Sequence, residues 1–186
     1  MAPFMNTPGA RLINMGKYLA AGNTRNYRQS HASYHFLLDY IPNWERAYGQ
    51  LVQYQSFLPL DSARAAWTEM LALSHKQGIP AFLGVTKRHR PDDFLLTHAV
   101  DGFSLAMDFK VTPGRREKIR SLFQEFDRIV LGAGGRFYFA KNSETSAETT
   151  RRFLGDETIS KFRKLKQRCD PHGILESDLC RRILPD

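Results

Sequence analysis

The chain has 186 residues, 42% hydrophobic and 25% charged, with a formal net charge of +8 at pH 7. That is an ordinary globular composition, enough for one domain or one and a half with a buried core. No apolar run approaches the roughly 20 residues that span a bilayer, and the N-terminus lacks the basic leader and apolar core of a secretory signal. Cys169 and Cys180 show no CxxC pairing, so free thiols in a reducing, cytoplasmic compartment are expected. Much of the positive charge lies between Lys161 and Arg168, five cations in eight residues. Phe162 and Leu165 give that stretch a narrow apolar stripe on an otherwise wet helix. A solvated face and attraction to phosphate, nucleic acid or anionic lipid both fit such charge.

Residues 1–48 are the least regular part. A helix is expected over Arg11 to Ala21, stopped by Gly22-Asn23. The polar stretch Asn23 to His35 reads as a long loop or lid. Phe36 to Ile41 reads as a short strand stopped by Pro42. Leu51 to Leu58 has strand composition and is closed by Pro59. Its side chains alternate, so Leu51, Gln53, Gln55 and Phe57 share one face, and Val52, Tyr54, Ser56 and Leu58 the other. Two amides side by side on one strand need partners, whether water, each other or a polar ligand.

Asp61-Ser62 can cap a helix running to about Gln77, with Ala63, Ala66, Trp67, Met70 and Leu71 at helical spacing. Ile79 to Lys87 reads as a second strand, and a charged link from Arg88 to Asp93 follows. Gly102 to Val111 alternates cleanly, with Phe103, Leu105, Met107 and Phe109 on one side and Ser104, Ala106 and Asp108 on the other. Pro113 opens a helix that buries Ile119, Leu122, Phe123, Phe126 and Val130 and stops at Gly132-Ala133-Gly134-Gly135. Arg136 to Ala140 gives a fourth strand. The order strand, helix, strand, strand, helix, strand is the split βαβ, or ferredoxin-like, layout of an α+β protein. Both helices then cover one face of an antiparallel sheet and leave the other open. Residues 142–186 add helices to the same domain, with turn chemistry at Asp170-Pro171-His172-Gly173 and a short last helix opened by Ser177-Asp178. The organisation expected is thus a helix and lid over 1–48, an α+β core over 49–141 and a helical segment over 142–186.

Several familiar chemistries fail on context. The glycine run 132–135 ends a helix and opens a strand, the reverse of a phosphate loop. The six histidines show no metal-ligand spacing with acidic or cysteine neighbours. Asp101 to Phe109 only loosely echoes an RNA-binding strand, with Asp101 in place of a basic residue and Leu105 in place of an aromatic, so nucleic acid is not the expected partner. Lys87 stands out, because a lysine closing a strand can hold an oxyanion or a phosphate as readily as it can lie in water.

The ordered set of Asp39, Asn43-Trp44, Tyr48-Gly49, Gln53-Tyr54-Gln55, the strand ending at Lys87, Gly135 to Lys141, and Asp170-Pro171 with Ser177 to Arg182 resembles a known family. It is similar to the C-terminal substrate domain of FAD-linked oxidases of the vanillyl-alcohol oxidase superfamily, nearest its decaprenylphosphoryl-β-D-ribose 2-oxidase branch. The resemblance runs from about Ser33 to the C-terminus. It implies a flavoenzyme in which a separate domain binds FAD and this domain shapes the substrate cavity. By position it implies Lys87 as the catalytic lysine, and Gln53 and Gln55 as the polar wall. Tyr34, Asp39 and Asn43 would flank the substrate entrance, and Lys141 would lie toward the cofactor. The FAD-binding domain is expected in cis or in trans. The substrate is expected to be a sugar or a lipid-linked phosphosugar, which a membrane surface would present. With that domain missing, Gln53 and Gln55 are expected to be exposed as half of a site. The rival expectation is a non-catalytic interaction module that uses the open sheet face.

Overall fold

The computed structural model describes residues 7–22, 28, 30–34 and 50–185. Contacts divide the chain into two compact units, residues 1–51 and 52–186. Among the described residues of the first unit are helices α1 (Thr7–Ala21) and α2 (His31–Tyr34). Gly22 donates its N–H to Tyr18 O and closes α1 at the expected stop. The strand expected over 36–41 lies outside the described residues.

Strand β1 (Leu51–Pro59) leads into the second unit, followed by α3 (Leu60–Lys76), β2 (Leu83–His89), β3 (Gly102–Lys110), α4 (Arg116–Gly132) and β4 (Arg136–Phe137). The sheet order is β2-β3-β1-β4, the ferredoxin-like arrangement, with β2–β3 and β1–β4 antiparallel. Three further helices close the chain, α5 (Ala147–Leu154), α6 (Asp156–Cys169) and α7 (Asp178–Ile183). Serine caps two of them: Ser146 accepts from Thr149 N–H and Ser177 from Cys180 N–H.

The core forms where the sheet's apolar side meets α3 and α4. Tyr54 and Leu58 from β1, Leu105, Met107 and Phe109 from β3, and Phe137 from β4 pack on Ala63, Ala66 and Met70 of α3. Ile119, Leu122, Phe123, Phe126 and Val130 of α4 complete the cluster. Rings of Tyr54, Phe109, Phe123 and Phe126 meet edge-on or tilted at 4.9–6.1 Å. Truncating one such buried ring costs about 3–5 kcal/mol.

Local chemistry corrects three expected boundaries. Pro59, not Asp61 or Ser62, is the N-cap of α3, and the Ser62 hydroxyl donates instead to Ala133 O at 2.9 Å, tying α3 to the end of α4. The second strand begins at Leu83, because the N–H of Ile79 turns back to Ser74 O, and it runs on to His89. Lys87 therefore lies within the strand. The fourth strand ends at Phe137 because Lys141 N–H and Asn142 N–H both donate to Tyr138 O, at 3.0 and 3.1 Å, and fold the chain into a turn. Lys141 stands on that turn. The glycine run behaves as a helix stop: Gly134 has φ +71°, and Gly135 N–H returns to Val130 O at 2.8 Å. Strand β2 is solvent-exposed along almost its whole length, since it lies at the sheet edge beyond the two covering helices.

Candidate active site

Register decides which side chains meet on the face away from the helices. Lys87 lies opposite Ser104 and His89 opposite Gly102, and directly paired residues share a face. The amide of Gln55 donates from Nε2 to Ser104 Oγ at 3.3 Å, and that of Gln53 from Nε2 to Asp108 Oδ1 at 2.6 Å. Gln53, Gln55, Lys87, His89, Ser104 and Asp108 therefore share one surface, drawn from three strands. His89 Nε2 lies 2.8 Å from Ser104 Oγ, which continues the chain from Gln55 through Ser104 to His89.

His89 Nε2 and Ser104 Oγ share one hydrogen bond. Ser104 is fully buried and its oxygen already accepts from Gln55. Among the described residues His89 Nε2 is the one acceptor offered to the Ser104 proton, and taking it would place the imidazole N–H on Nδ1. Burial, followed by the nearby His98, Lys87 and Arg88, holds the His89 pKa below its ordinary value and keeps the ring neutral. His98 is lowered by burial as well, against the opposing pull of Asp92.

An aromatic wall adjoins this polar chain. Phe57 is buried between the rings of His89 and His98, at 4.7 and 4.5 Å, and His98 meets Tyr138 at 4.7 Å. The segment carrying His98 is fastened to the sheet by Arg136, whose guanidinium donates to Thr97 O at 3.0 Å.

The two glutamines are not left exposed, which corrects the half-site expectation. Gln55 is only 5% exposed and Gln53 is half-buried. Their amides are used on Ser104 and Asp108, and the Gln55 main chain is bracketed by the side chain of Asn142. Lys87 and Lys141 are exposed and make no side-chain hydrogen bond or ion pair with a described residue. Lys141 directly precedes Asn142, whose side chain holds the Gln55 backbone. The Tyr34 backbone ends α2, and Asp39 and Asn43 lie outside the described residues.

His89, His98, Tyr138 and Asn142 escaped the sequence reading, which placed Ser104 on the polar side of its strand without giving it a role. His89 could have been found, since it lies two residues beyond Lys87 and so on the same face of a strand. His98, Tyr138 and Asn142 sit in loops that carry no periodic signal. Among the described residues no cluster of histidine, cysteine, aspartate and glutamate is arranged to hold a metal. None of their helices is long and apolar enough to cross a membrane. Cys169 and Cys180 are free thiols. An open groove of about 760 Å³ between α3 and α4, lined by small and apolar residues with Glu69, Lys76, Glu125 and Arg128, contains none of these polar groups.

One lysine, two amides, a carboxylate, a serine and an imidazole on one sheet face form a surface suited to a polar, oxygen-rich ligand. That class of site agrees with the family. The family profile for D-arabinono-1,4-lactone oxidase matches residues 27–183. The chain belongs to this family, whose profile describes the C-terminal part of FAD-linked oxidases. It is 31% identical over 169 residues to decaprenylphosphoryl-beta-D-ribose oxidase of Mycolicibacterium smegmatis, a match that covers 89% of this chain and 35% of the relative. The chain thus spans about a third of the length of that curated relative.

Proposed function

We propose that this chain is the substrate-lining part of an FAD-dependent oxidoreductase that oxidises a sugar or polyprenyl-phosphosugar hydroxyl to a ketone. The observation that carries the reading is the pair of hydrogen-bonded groups Gln53–Asp108 and Gln55–Ser104–His89 on one sheet face, with Lys87, unpaired among the described residues, on the same face. Oxidising an alcohol to a ketone takes a hydride from carbon and a proton from oxygen, so the ring must be held in one orientation and the hydroxyl proton released to solvent at the exposed Lys87 edge. Lys87 supplies a cation that favours that proton's release or holds a phosphate, and the His89 imidazole supplies a directional polar group. Gln53 and Gln55, held by their own partners, form a wall of fixed shape. The family resemblance assigns Tyr34, Asp39 and Asn43 to substrate contact and Lys141 to the cofactor side of the site.

The described residues do not fit the dinucleotide itself. In the glycine run the N–H groups of Ala133, Gly134 and Gly135 are spent on Ile129, Leu131 and Val130 carbonyls, so none is free to cradle a pyrophosphate. FAD is therefore assigned to a separate FAD-binding domain, in cis or in trans. When bound there, it supplies the hydride acceptor that this chain lacks. A polyprenyl substrate would be met at a membrane surface.

The test joins this chain with an FAD-binding segment of the family and adds D-arabinono-1,4-lactone or a prenylphosphoryl ribose without oxygen. Bleaching of the flavin band by either sugar supports the reading. A stable flavin complex bleached by neither sugar rejects it and favours a non-catalytic interaction module. That rival draws on the exposed outer edge of β2, a template for strand pairing.

A further inference from the structure

The β1–β4 ladder stops after two residue pairs, Ser56 with Phe137 and Phe57 with Arg136. The next β1 residue is Gln55, a member of the polar face, and the chain opposite it has already turned away at Tyr138. A buried backbone N–H and C=O would be left without partners there. The side chain of Asn142 takes both: its Oδ1 accepts from Gln55 N–H at 2.7 Å, and its Nδ2 donates to Gln55 O at 3.1 Å. One amide side chain thus stands in for a peptide unit of the missing strand. Among side chains only an amide of this kind offers a donor and an acceptor in that geometry.

Asn142 is itself 2% exposed and is fastened from behind. Arg182 of α7 donates from Nη2 to Asn142 O at 3.4 Å and from Nε to Thr145 O at 3.1 Å. The line of contacts runs from the C-terminal helix, through the loop 142–145, to the backbone of Gln55. Lys141 is the residue immediately before Asn142 in the chain.

We infer that Asn142 and Arg182 are positioning residues, holding the Lys141 turn against Gln55 so that cation and amide present one fixed geometry to an oxygen-rich sugar. This rests on the proposed oxidoreductase reading. Neither residue touches the ligand. Each acts through the backbone of another.

The test has two readouts. The first is amide hydrogen exchange in this chain by NMR. In Asn142→Ala the Gln55 N–H should exchange roughly ten- to a hundred-fold faster, the loss expected when a buried hydrogen bond goes unmade, while Ser56 and Phe57 keep their protection. Arg182→Gln, at an exposed position that leaves the core intact, should accelerate the same amide by a smaller factor. Arg182→Lys, which keeps one donor, should restore part of the protection. The second readout is flavin reduction in the flavin-loaded enzyme by D-arabinono-1,4-lactone or a prenylphosphoryl ribose. There Arg182→Gln should lower kcat with little change in KM and an unchanged Tm.

An unchanged Gln55 exchange rate in both Asn142→Ala and Arg182→Gln overturns the clamp, whatever the substrate. Faster exchange with an undiminished rate of flavin reduction reduces the clamp to scaffolding and overturns the positioning role. A wild-type enzyme whose flavin neither sugar reduces, with the exchange pattern as expected, overturns the oxidoreductase reading beneath the proposal and takes the catalytic part with it.

Discussion

Asp127 lies on the helix side of the sheet, where α4 meets β1 and α5. Its Oδ1 accepts from the hydroxyl of the fully buried Tyr54 at 2.8 Å and its Oδ2 from Thr149 at 3.1 Å. Burial outweighs both hydrogen bonds and raises the Asp127 pKa from 3.8 to about 6. The same burial, with the carboxylate beside it, raises Tyr54 well above the ordinary tyrosine range. A carboxyl whose folded pKa exceeds its unfolded one binds more protons in the native state between the two values. Its contribution to stability is complete below pH 3.8 and is lost as pH rises to about 6. Two pH decades at about 1.4 kcal/mol each put the loss near 3 kcal/mol at pH 7. Asp127→Asn keeps an acceptor for Tyr54 or Thr149 and removes the titration. Urea unfolding of both proteins from pH 4 to 7.5 should show wild type losing roughly 2–3 kcal/mol relative to the variant across that interval. Parallel curves would refute the reasoning, as would a variant that is less stable than wild type at pH 7.

Three further outcomes follow from the geometry. A Cβ at Gly102 would lie 1.9 Å from Leu58 O, so Gly102→Ala must push β3 away from β1. It should cost at least about 2 kcal/mol and lower Tm by about 5 °C or more, and an unchanged melt would contradict the packing. By NMR titration His89 and His98 should both ionise below 6.5, and a midpoint above that value at either ring would contradict their burial. In Lys87→Gln the His89 midpoint should rise, because a neighbouring cation that opposes its protonation has gone. An unchanged midpoint would mean that Lys87 points away from the imidazole.

Alternation along β1 and β3 already assigned Tyr54, Leu58, Leu105, Met107 and Phe109 to one face and the two glutamines to the other, because side-chain period is a local property of a strand. The order of strands and helices carried the ferredoxin-like topology for the same reason. The site was less legible. Gln55 looked exposed because its partners, Ser104 and Asn142, lie 49 and 87 residues away in sequence. Tyr138 to Ala140 looked like strand residues because nothing in Phe137 to Lys141 announces that Tyr138 O will accept two backbone donors and turn the chain. His98 and Tyr138 reach the face through loops, where tertiary contacts rather than periodicity decide direction.

The most direct test of the central claim is a single-turnover measurement of flavin reduction in the assembled enzyme, with wild type and Lys87→Ala compared under saturating prenylphosphoryl ribose. Removing one preorganised charge-stabilising donor should slow the hydride-transfer phase by about a hundred-fold or more, with flavin still bound. Equal rates in the two proteins would contradict the account and leave Lys87 as an ordinary surface lysine on an edge strand.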